Sequence, residues 1–206
     1  MELEYLGHSC FKLTSDNFTI VLDPYAPSSV PGLEDLALTA NLVLCSHTHA
    51  DHGCSSAVKV VYKECNPCRI TQLKCFHDDD NGNKRGQNII HIIENENLRV
   101  AHFGDIGHAL SETLVKELGR IDVALLPVGG YYTVDATVAH KIVEALNPKT
   151  VIPMHYRTTT TGYDEIATVK PFIEYFEDVE YDGSKIELIG DLPKVIVMKQ
   201  KSANKV

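Results

Sequence analysis

Four residues of types that commonly bind metal ions fall within one six-residue segment, HTHADH, at residues 47–52. The segment follows directly on an apolar run, Leu42 to Cys45, whose composition is typical of a buried strand. Because a strand is rigid, the loop at its end can hold several side chains toward one point in space. This clustering is far denser than chance would give a chain with 10 histidines in 206 residues. We therefore expect a fold that encloses a metal site at this strand end, with ligands from His47, His49, Asp51 and His52.

The spacing inside this loop has a physical meaning. Alternate side chains of an extended segment point the same way, so His47, His49 and Asp51 can line one side, whereas His52 requires the loop to curl. An ion of borderline softness, such as zinc, accepts imidazole and carboxylate ligands together. The pattern divides into a His-x-His pair and an Asp-His pair, and each pair is incomplete by itself. This division favours two ions over one and requires further ligands from elsewhere in the chain.

Further candidate ligands each follow an apolar, strand-like run downstream. His77 follows residues 70–76, Asp105 follows residues 98–103, and His155 follows residues 150–154. Runs of about 4–8 β-rich residues are typical of strands. Together with the HTHADH loop, four strand ends would then offer ligands to one shared edge of the fold.

Several motifs spread over about residues 3–157 match one known family. They are the HTHADH loop, which has the pattern His-x-His-x-Asp-His, and the segments LGHSCF, GDIGH, LLPVGGYYTVD and VIPMHY. With these motifs the chain resembles the metallo-β-lactamase superfamily. More narrowly, it resembles the small stand-alone hydrolases grouped with ascorbate-phosphate lactonase and with the phospholipase D that acts on N-acyl-phosphatidylethanolamine. The resemblance implies an α/β fold, the αββα sandwich, in which two mixed β-sheets carry helices on their outer faces.

The resemblance also implies a ligand set and a reaction. Asp23, in the strand end IVLDP, matches an aspartate that supports the site. The implied chemistry is hydrolysis by a metal-bound hydroxide held at a dinuclear site, with Asp51 orienting the hydroxide or passing its proton onward. Zinc is the expected metal, and manganese and iron are the alternatives. The implied ligands are His47, His49 and His77 for the first ion, Asp51, His52 and His155 for the second, and Asp105 as the bridge.

Other activities found in this family fit the sequence less well. Members that reduce oxygen or nitric oxide at a di-iron site typically carry glutamate where His49 stands, and they are fused to a flavin domain. A formal charge of −9 and a pI near 5.5 argue against a broad nucleic-acid footprint. A small-molecule substrate is therefore expected, namely an ester, a lactone or a phosphodiester. A metal-stabilised binding or assembly module without turnover stays open as the alternative, and the sequence leaves the oligomeric state open.

Three residues are candidates for substrate contacts. His77 opens the polar segment HDDDNGNKRGQN, which should lie at the mouth of the site if His77 is a ligand. We hypothesise that Arg85, helped by Lys84, binds an anionic substrate group, because a guanidinium can hold carboxylate or phosphate oxygens in pairs. A solvated turn between two strands is the equal alternative. His8, in LGHSC, is either a substrate contact or a satisfied structural histidine.

Composition limits the domain organisation and the compartment. With 44% hydrophobic residues, the chain is expected to form one domain over 1–206, with 200–206 as a disordered tail. The first residues lack the pattern of a signal peptide, and no run of about 18 apolar residues indicates a membrane span, so a cytoplasmic protein is expected. The six cysteines are then expected to be reduced. Cys65 and Cys68 form a single CxxC pair, for which ordinary packing is favoured over a second metal site or a redox role.

Hydrophobic periodicity and turn residues predict the order of elements. Ser111 and Asp135 are expected to cap helices at their N-termini, and Gly119 is expected to end the first of these two helices. The predicted helices are 33–39, 111–118, 135–146 and 164–176. The predicted strands are 2–6, 9–14, 17–22, 41–45, 70–76, 87–94, 97–103, 121–127, 150–153, 184–189 and 194–199.

Overall fold

A computed structural model describes residues 1–201 of the chain. A short 3-10 helix, Ser55–Ala57, follows the HTHADH loop. The α-helices are α1 Glu112–Leu118, α2 Ala136–Leu146 and α3 Lys170–Ile173. The strands are β1 Glu2–Gly7, β2 Cys10–Ser15, β3 Phe18–Leu22, β4 Leu38–Ala40, β5 Leu42–Leu44, β6 Val58–Val60, β7 Arg69–Phe76, β8 Gln87–Glu94, β9 Arg99–His102, β10 Val123–Pro127, β11 Thr150–Met154, β12 Val179–Asp182, β13 Lys185–Glu187 and β14 Val195–Met198.

The strands form two large sheets and one small one. The five-stranded sheet has the order β13-β1-β2-β3-β5, and the seven-stranded sheet has the order β12-β14-β11-β10-β9-β8-β7. Both are mixed, because β3 pairs parallel with β5 in the first, and β8 pairs antiparallel with β9 in the otherwise largely parallel second sheet. Strands β4 and β6 form a separate parallel pair.

The two large sheets face each other across an apolar core. Tyr5 and Phe11 of the five-stranded sheet lie in one buried cluster with Leu125 and Met154 of the seven-stranded sheet. All four side chains are completely buried. Because burying a large apolar side chain stabilises a fold by about 1.5–3 kcal/mol, this inner layer holds the sheets together and fixes the positions of their strand ends.

The α-helices cover the outer face of the seven-stranded sheet. Leu118 of α1, Ile142 of α2 and Phe172 of α3 all belong to one cluster with the outward-facing residues of that sheet. Ser111 and Asp135 cap α1 and α2, since their side chains accept hydrogen bonds from the N–H groups three residues on. These caps agree with the prediction from the sequence. Within residues 1–201 no helix is both long enough and apolar enough to cross a membrane.

The outer face of the five-stranded sheet is covered differently. Its cluster contains Val21, Leu33 and Val58, and it draws on loop residues and on the β4–β6 pair. Among the described residues, no α-helix contributes to this cluster. The predicted helix at 33–39 is wrong. The segment is extended, its apolar residues pack on the outer face of the sheet, and it continues into β4. The predicted αββα class is confirmed, and the three α-helices within residues 1–201 lie on one of the two outer faces.

The predicted helix at 164–176 is wrong in its extent. Only Lys170–Ile173 forms an α-helix. The preceding residues form backbone contacts with neighbouring segments instead: Ala167 N donates to Gly129 O at 2.7 Å, and Arg157 N donates to Ala167 O at 3.0 Å. Tertiary hydrogen bonds therefore override the helical periodicity of this segment.

The C-terminal end of the described chain is anchored. The Gln200 amide donates to Tyr156 O at 3.1 Å and accepts from the Thr161 hydroxyl at 3.0 Å. Lys201 forms an ion pair with Glu4. Residues 200 and 201, the start of the predicted disordered tail, form these contacts, and its remaining part, 202–206, lies outside the described residues.

Candidate metal centre

The predicted metal ligands lie at the carboxyl ends of strands from both sheets. His47 follows β5, His77 follows β7, Asp105 follows β9, and His155 follows β11. Asp23 follows β3 directly. Because the two sheets face each other, these strand ends meet at one edge of the sandwich, as the repeated pattern in the sequence predicts.

Three strand-end residues at this edge have left-handed backbone conformations. The φ angles are +55° for His8, +44° for Asp23 and +52° for His155. Side chains other than glycine rarely adopt this region, and such strain is concentrated at functional sites. Gly104, with φ +53°, has no room for a side chain, since a Cβ there would lie 2.4 Å from the Asn88 Oδ1 atom. The chain therefore turns sharply where the predicted ligands lie.

Two groups of these side chains are each compact enough to hold one ion, and a third, Asp23, His47 and His52, overlaps both. In the first group, one nitrogen each of His47, His49 and His77 lies within 4.8 Å of the others. In the second group, donor atoms of His8, Asp51, His52 and His155 meet the same limit. The two groups correspond to the two ligand sets expected from the sequence, with His8 as an additional member of the second.

Asp105 lies between the two groups. Its Oδ2 atom is 3.2 Å from Nε2 of both His52 and His77, and 3.3 Å from Nε2 of His155. The Nε2 atom of His47 is 3.9 Å away. A single carboxylate oxygen thus faces nitrogens from both groups, which is the position that a bridging ligand requires.

Several of these buried atoms have no hydrogen-bond partner. They are Nε2 of His47, His52 and His155 and Oδ1 of Asp105. These nitrogens therefore lie close to Asp105 without forming hydrogen bonds to it. Leaving buried polar atoms unpaired costs about 1–3 kcal/mol each, and the cost is removed when the atoms share a cation. The imidazole and carboxylate donors fit a divalent metal of the zinc, manganese or iron type.

The electrostatics of the cluster also favour a cation. Burial, together with neighbouring His52, lowers the pKa of His47 to about 3, so this imidazole is neutral as a metal ligand must be. Burial raises the pKa of Asp105, but the surrounding imidazoles of His155 and His52 lower it by more. Burial lowers the pKa of His52, whereas Asp105 and the other adjacent carboxylates raise it by more. The site therefore holds a buried carboxylate among histidines, and a cation or a proton on one of them balances its charge.

Hydrogen bonds from neighbouring residues hold the predicted ligands in place. Asp23 Oδ2 is 2.8 Å from Nδ1 of His52 and accepts from the Ser46 hydroxyl at 2.6 Å. The same hydroxyl oxygen is 2.9 Å from Nδ1 of His47. Asn88 accepts from the Asp105 backbone N–H at 2.9 Å. Such partners fix the tautomer and orientation of a ligand, and losing one commonly costs about 10–100-fold in metal affinity.

A cavity of about 320 Å³ opens beside the cluster. Arg85 contributes the one side chain with a fixed positive charge among its lining residues within 1–201. Its guanidinium donates to Tyr131 O at 2.9 Å and lies 5.8 Å from the centroid of the Tyr132 ring. The complete lining is His49, Asp51, His77, Arg85, Asp105, Tyr132 and Tyr163.

The structure separates the three predicted substrate-binding residues. Arg85 lines the cavity, whereas Lys84 does not and instead pairs with exposed Asp79 at 2.8 Å. His8 is 1% exposed and lies outside the lining, with Nε2 at 3.2 Å from Asp51 Oδ2. The ring of His8 also lies 4.0 Å from that of His155. Lys84, which the sequence hypothesis has helping Arg85, thus lies outside the cavity lining, and His8 contacts Asp51 from within the core.

Sequence reasoning missed Tyr163, Ser46 and Asn88. Tyr163 lines the cavity and donates its hydroxyl to Ser29 O at 2.7 Å, and burial together with nearby Asp51 raises its pKa. It lies one residue before the segment predicted as a helix, 164–176, where nothing local indicates a site. Ser46 precedes the histidine motif, and a polar residue between an apolar strand and a ligand is a usable signal. Asn88 carries no such signal, since only the pairing of β7, β8 and β9 brings it to Asp105.

The cysteines of the CxxC pair lie away from this centre. Cys65 is exposed and Cys68 is buried in the core between the sheets. Within residues 1–201, neither belongs to a group of side chains with metal-binding spacing, and neither forms a disulfide.

Comparison with known proteins places this geometry in a family. Residues 2–155 match the family model described as the beta-lactamase superfamily domain. The chain is 28% identical to a UPF0173 metal-dependent hydrolase of Hyperthermus butylicus, with 85% of this chain and 92% of that protein covered. It is 29% identical to a UPF0173 metal-dependent hydrolase of Desulforamulus reducens, with 88% of this chain and 96% of that protein covered.

A solved structure supports the same assignment. It is a protein of Thermotoga maritima described as a zinc-dependent hydrolase of the metallo-β-lactamase superfamily, with a TM-score of 0.78 and 33% sequence identity. The alignment covers 97% of this chain and 99% of that one. The resemblance inferred from the motifs is confirmed: the chain belongs to the metallo-β-lactamase superfamily and is one of its metal-dependent hydrolases.

Proposed function

We propose that the chain hydrolyses a small anionic substrate at a dinuclear metal site. The observation that carries the proposal is the convergence of unpaired Nε2 atoms on the Oδ2 atom of Asp105, from His47 of the first group and from His52 and His155 of the second. The proposed ligands are His47, His49 and His77 for one ion, Asp51, His52 and His155 for the other, and Asp105 between them.

Two divalent ions at this position would supply Lewis acidity and would lower the pKa of a coordinated water toward about 7. Asp51 is the residue of this chain that we assign to the attacking water. Its carboxylate lines the cavity, and its Oδ2 atom is 3.2 Å from His8 Nε2 and 3.5 Å from His52 Nε2. Burial raises its pKa, but those two imidazoles lower it by more, so the carboxylate is ionised and accepts hydrogen bonds from water.

The cavity supports a substrate with one anionic group. Arg85 can take carboxylate or phosphate oxygens through its guanidinium N–H groups, while the rings of Tyr132 and Tyr163 supply apolar walls. A volume of about 320 Å³ suits a small molecule and falls at the lower end of typical ligand sites. We therefore propose an ester, a lactone or a phosphodiester that carries a carboxylate or phosphate.

The test is metal-dependent hydrolysis with a matched histidine control. Protein loaded with zinc or manganese is assayed against bis(p-nitrophenyl) phosphate, phosphomonoesters, neutral esters and lactones, and its metal content is measured by elemental analysis. His155→Ala should lose metal and activity, whereas His140→Ala, on helix α2, should keep both. Two ions bound without hydrolysis of anything in this panel would favour a metal-stabilised module over an enzyme.

The role of Arg85 has its own test. Arg85→Gln should raise KM for bis(p-nitrophenyl) phosphate by about tenfold, because a charged hydrogen bond is worth roughly 1.5–3 kcal/mol. It should leave KM for a neutral ester unchanged. Equal KM values for wild type and variant on the anionic substrate would remove Arg85 from the proposal.

A further inference from the structure

The loop between β7 and β8, residues 77–86, carries two side chains of the proposed site. It begins at His77 and contains Arg85 near its other end. Between them, Asp78 is only 2% exposed, although its neighbours Asp79 and Asp80 are both exposed. A buried carboxylate in a surface loop is costly unless it is fully hydrogen-bonded, so its partners indicate what it does.

All the acceptor positions of Asp78 are filled by the backbone of its own loop. Oδ1 accepts from the N–H groups of Asp80 at 2.8 Å and Gly82 at 2.9 Å. Oδ2 accepts from the N–H groups of Lys84 at 3.1 Å and Arg85 at 2.7 Å. Because an ionised carboxylate offers about four acceptor sites, none remains for a cation. The side chain therefore organises the loop and does not ligate metal.

The loop is also fixed at its base. The His77 N–H donates to Gly86 O at 3.0 Å, which closes the loop where it leaves and rejoins the sheet. Gly107, two residues beyond Asp105, lies against the start of the loop, since a Cβ at this position would come within 2.4 Å of the Asp78 backbone nitrogen. The loop therefore rests on the segment that supplies the proposed bridging ligand.

Hydrogen bonds hold both the backbone and the side chain of Arg85. Its backbone N–H donates to Asp78, and its guanidinium donates to Tyr131 O at 2.9 Å. The remaining guanidinium N–H groups are left for a ligand in the cavity. A shift of the Arg85 backbone would move this group relative to His77, at the other end of the same loop.

We propose that Asp78 is a positioning residue: its carboxylate ties the backbone of Arg85 to that of His77 and so sets the distance between the anion-binding group and the metal centre. The proposal rests on the proposed function, since it requires Arg85 to bind the anionic group of the substrate. Asp78→Asn is a nearly isosteric test, because its NH2 group faces two backbone N–H donors and breaks two of the four hydrogen bonds.

Kinetics with two probe substrates test this role. Asp78→Asn should raise KM for bis(p-nitrophenyl) phosphate by about tenfold, because the anion contact is misplaced. It should leave KM for neutral p-nitrophenyl acetate and the metal content unchanged. Asp80→Asn, the matched control, removes the same charge from an exposed position and should change neither KM value. The Asp78→Asn/Arg85→Gln double variant should be no worse than Arg85→Gln alone, because both changes remove one contact.

Amide hydrogen exchange supplies a test that does not depend on activity. In metal-free protein, Asp78→Asn should lower the protection of the Lys84 and Arg85 amides by about tenfold or more, and Asp80→Asn should not. Asp78→Ser serves as the second variant if the asparagine variant fails to fold. Unchanged protection in these variants, or equal losses of kcat on both probes with no change in KM, overturns the positioning role. An Arg85→Gln variant with normal KM overturns the anion-binding proposal instead.

Discussion

Two buried aspartates at opposite ends of the central parallel strands have very different partners. Asp105 follows β9 and Asp122 precedes β10, and they are 1% and 3% exposed. Oδ1 of Asp122 pairs with Arg120 at 2.5 Å and with Lys149 at 3.1 Å. Within residues 1–201, the ionic contacts of Asp105 are with histidines alone.

This difference separates a carboxylate proposed to bind metal from a structural one. A buried charge needs a compensating charge. Arg120 and Lys149 supply it for Asp122, so that end of the sandwich is complete in the protein itself. Asp105 faces imidazoles, of which His47 is held neutral by burial and by its neighbour His52. A proton on His52, whose pKa the adjacent carboxylates raise, can balance Asp105, and in the proposed metal site bound cations replace that proton. The four predictions below test this contrast.

The largest effect is expected from Asp105→Ala. Because the carboxylate lies between the two histidine groups, its loss should lower the metal content to one ion or none per chain. Activity should fall by more than the roughly 10–100-fold that outer partners of a ligand typically contribute. Elemental analysis and kcat/KM measure the two effects, and two ions still bound in the variant would remove the bridging assignment.

A smaller effect on the metal centre is expected from Asp23→Asn. This carboxylate contacts His52 and Ser46 without lying in either of the two proposed ligand sets. Zinc affinity should fall by about 10–100-fold, as measured by competition with a chelator. Asp122→Asn is the control, and an equal loss of affinity in both variants would contradict the contrast between the two ends.

Asp122→Asn should instead lower stability, and in a pH-dependent way. The Arg120 and Lys149 side chains are exposed, so the loss should be about 1–2 kcal/mol, or roughly 2–8 °C in Tm, at pH 7. Burial raises the pKa of Asp122, but hydrogen bonds from Arg120 and Lys149 lower it by more.

Because the folded-state pKa of Asp122 is depressed, its contribution is present above the unfolded value of about 3.9 and is lost as pH falls through the folded value. The Tm difference between wild type and Asp122→Asn should therefore be full at pH 6 and should close below about pH 4. A constant difference across this range would show that the charge of Asp122 is not the cause.

The smallest effect is expected from Cys65→Ser. Its thiol is exposed, and among the described residues it belongs to no group with metal-binding spacing. Metal content, activity and Tm should all stay within error of wild type. A loss of metal in this variant would reveal a second site, for which the CxxC pair was the signal in the sequence.

Local chemistry explains why much of the fold could be predicted. The caps at Ser111 and Asp135 and the early strands depend on neighbours in sequence, and they occur where expected. Strand β12, Val179–Asp182, was missed because its side chains are mostly exposed, so its pairing with β14 leaves no hydrophobic pattern. The segment at 33–39 was misassigned because apolar spacing alone does not reveal which surface it will cover.

The sequence by itself determined which candidate ligands are available, since His47, His49, Asp51 and His52 lie in one loop and the other candidates each follow an apolar run. Only the tertiary structure decided that Asp105 Oδ2 faces both histidine groups, that Arg85 enters the cavity and that Lys84 does not. The physical reason is the distance along the chain. Residues of one motif are kept close by covalent bonds, whereas residues at the ends of different strands meet only when the two sheets pack over their common core.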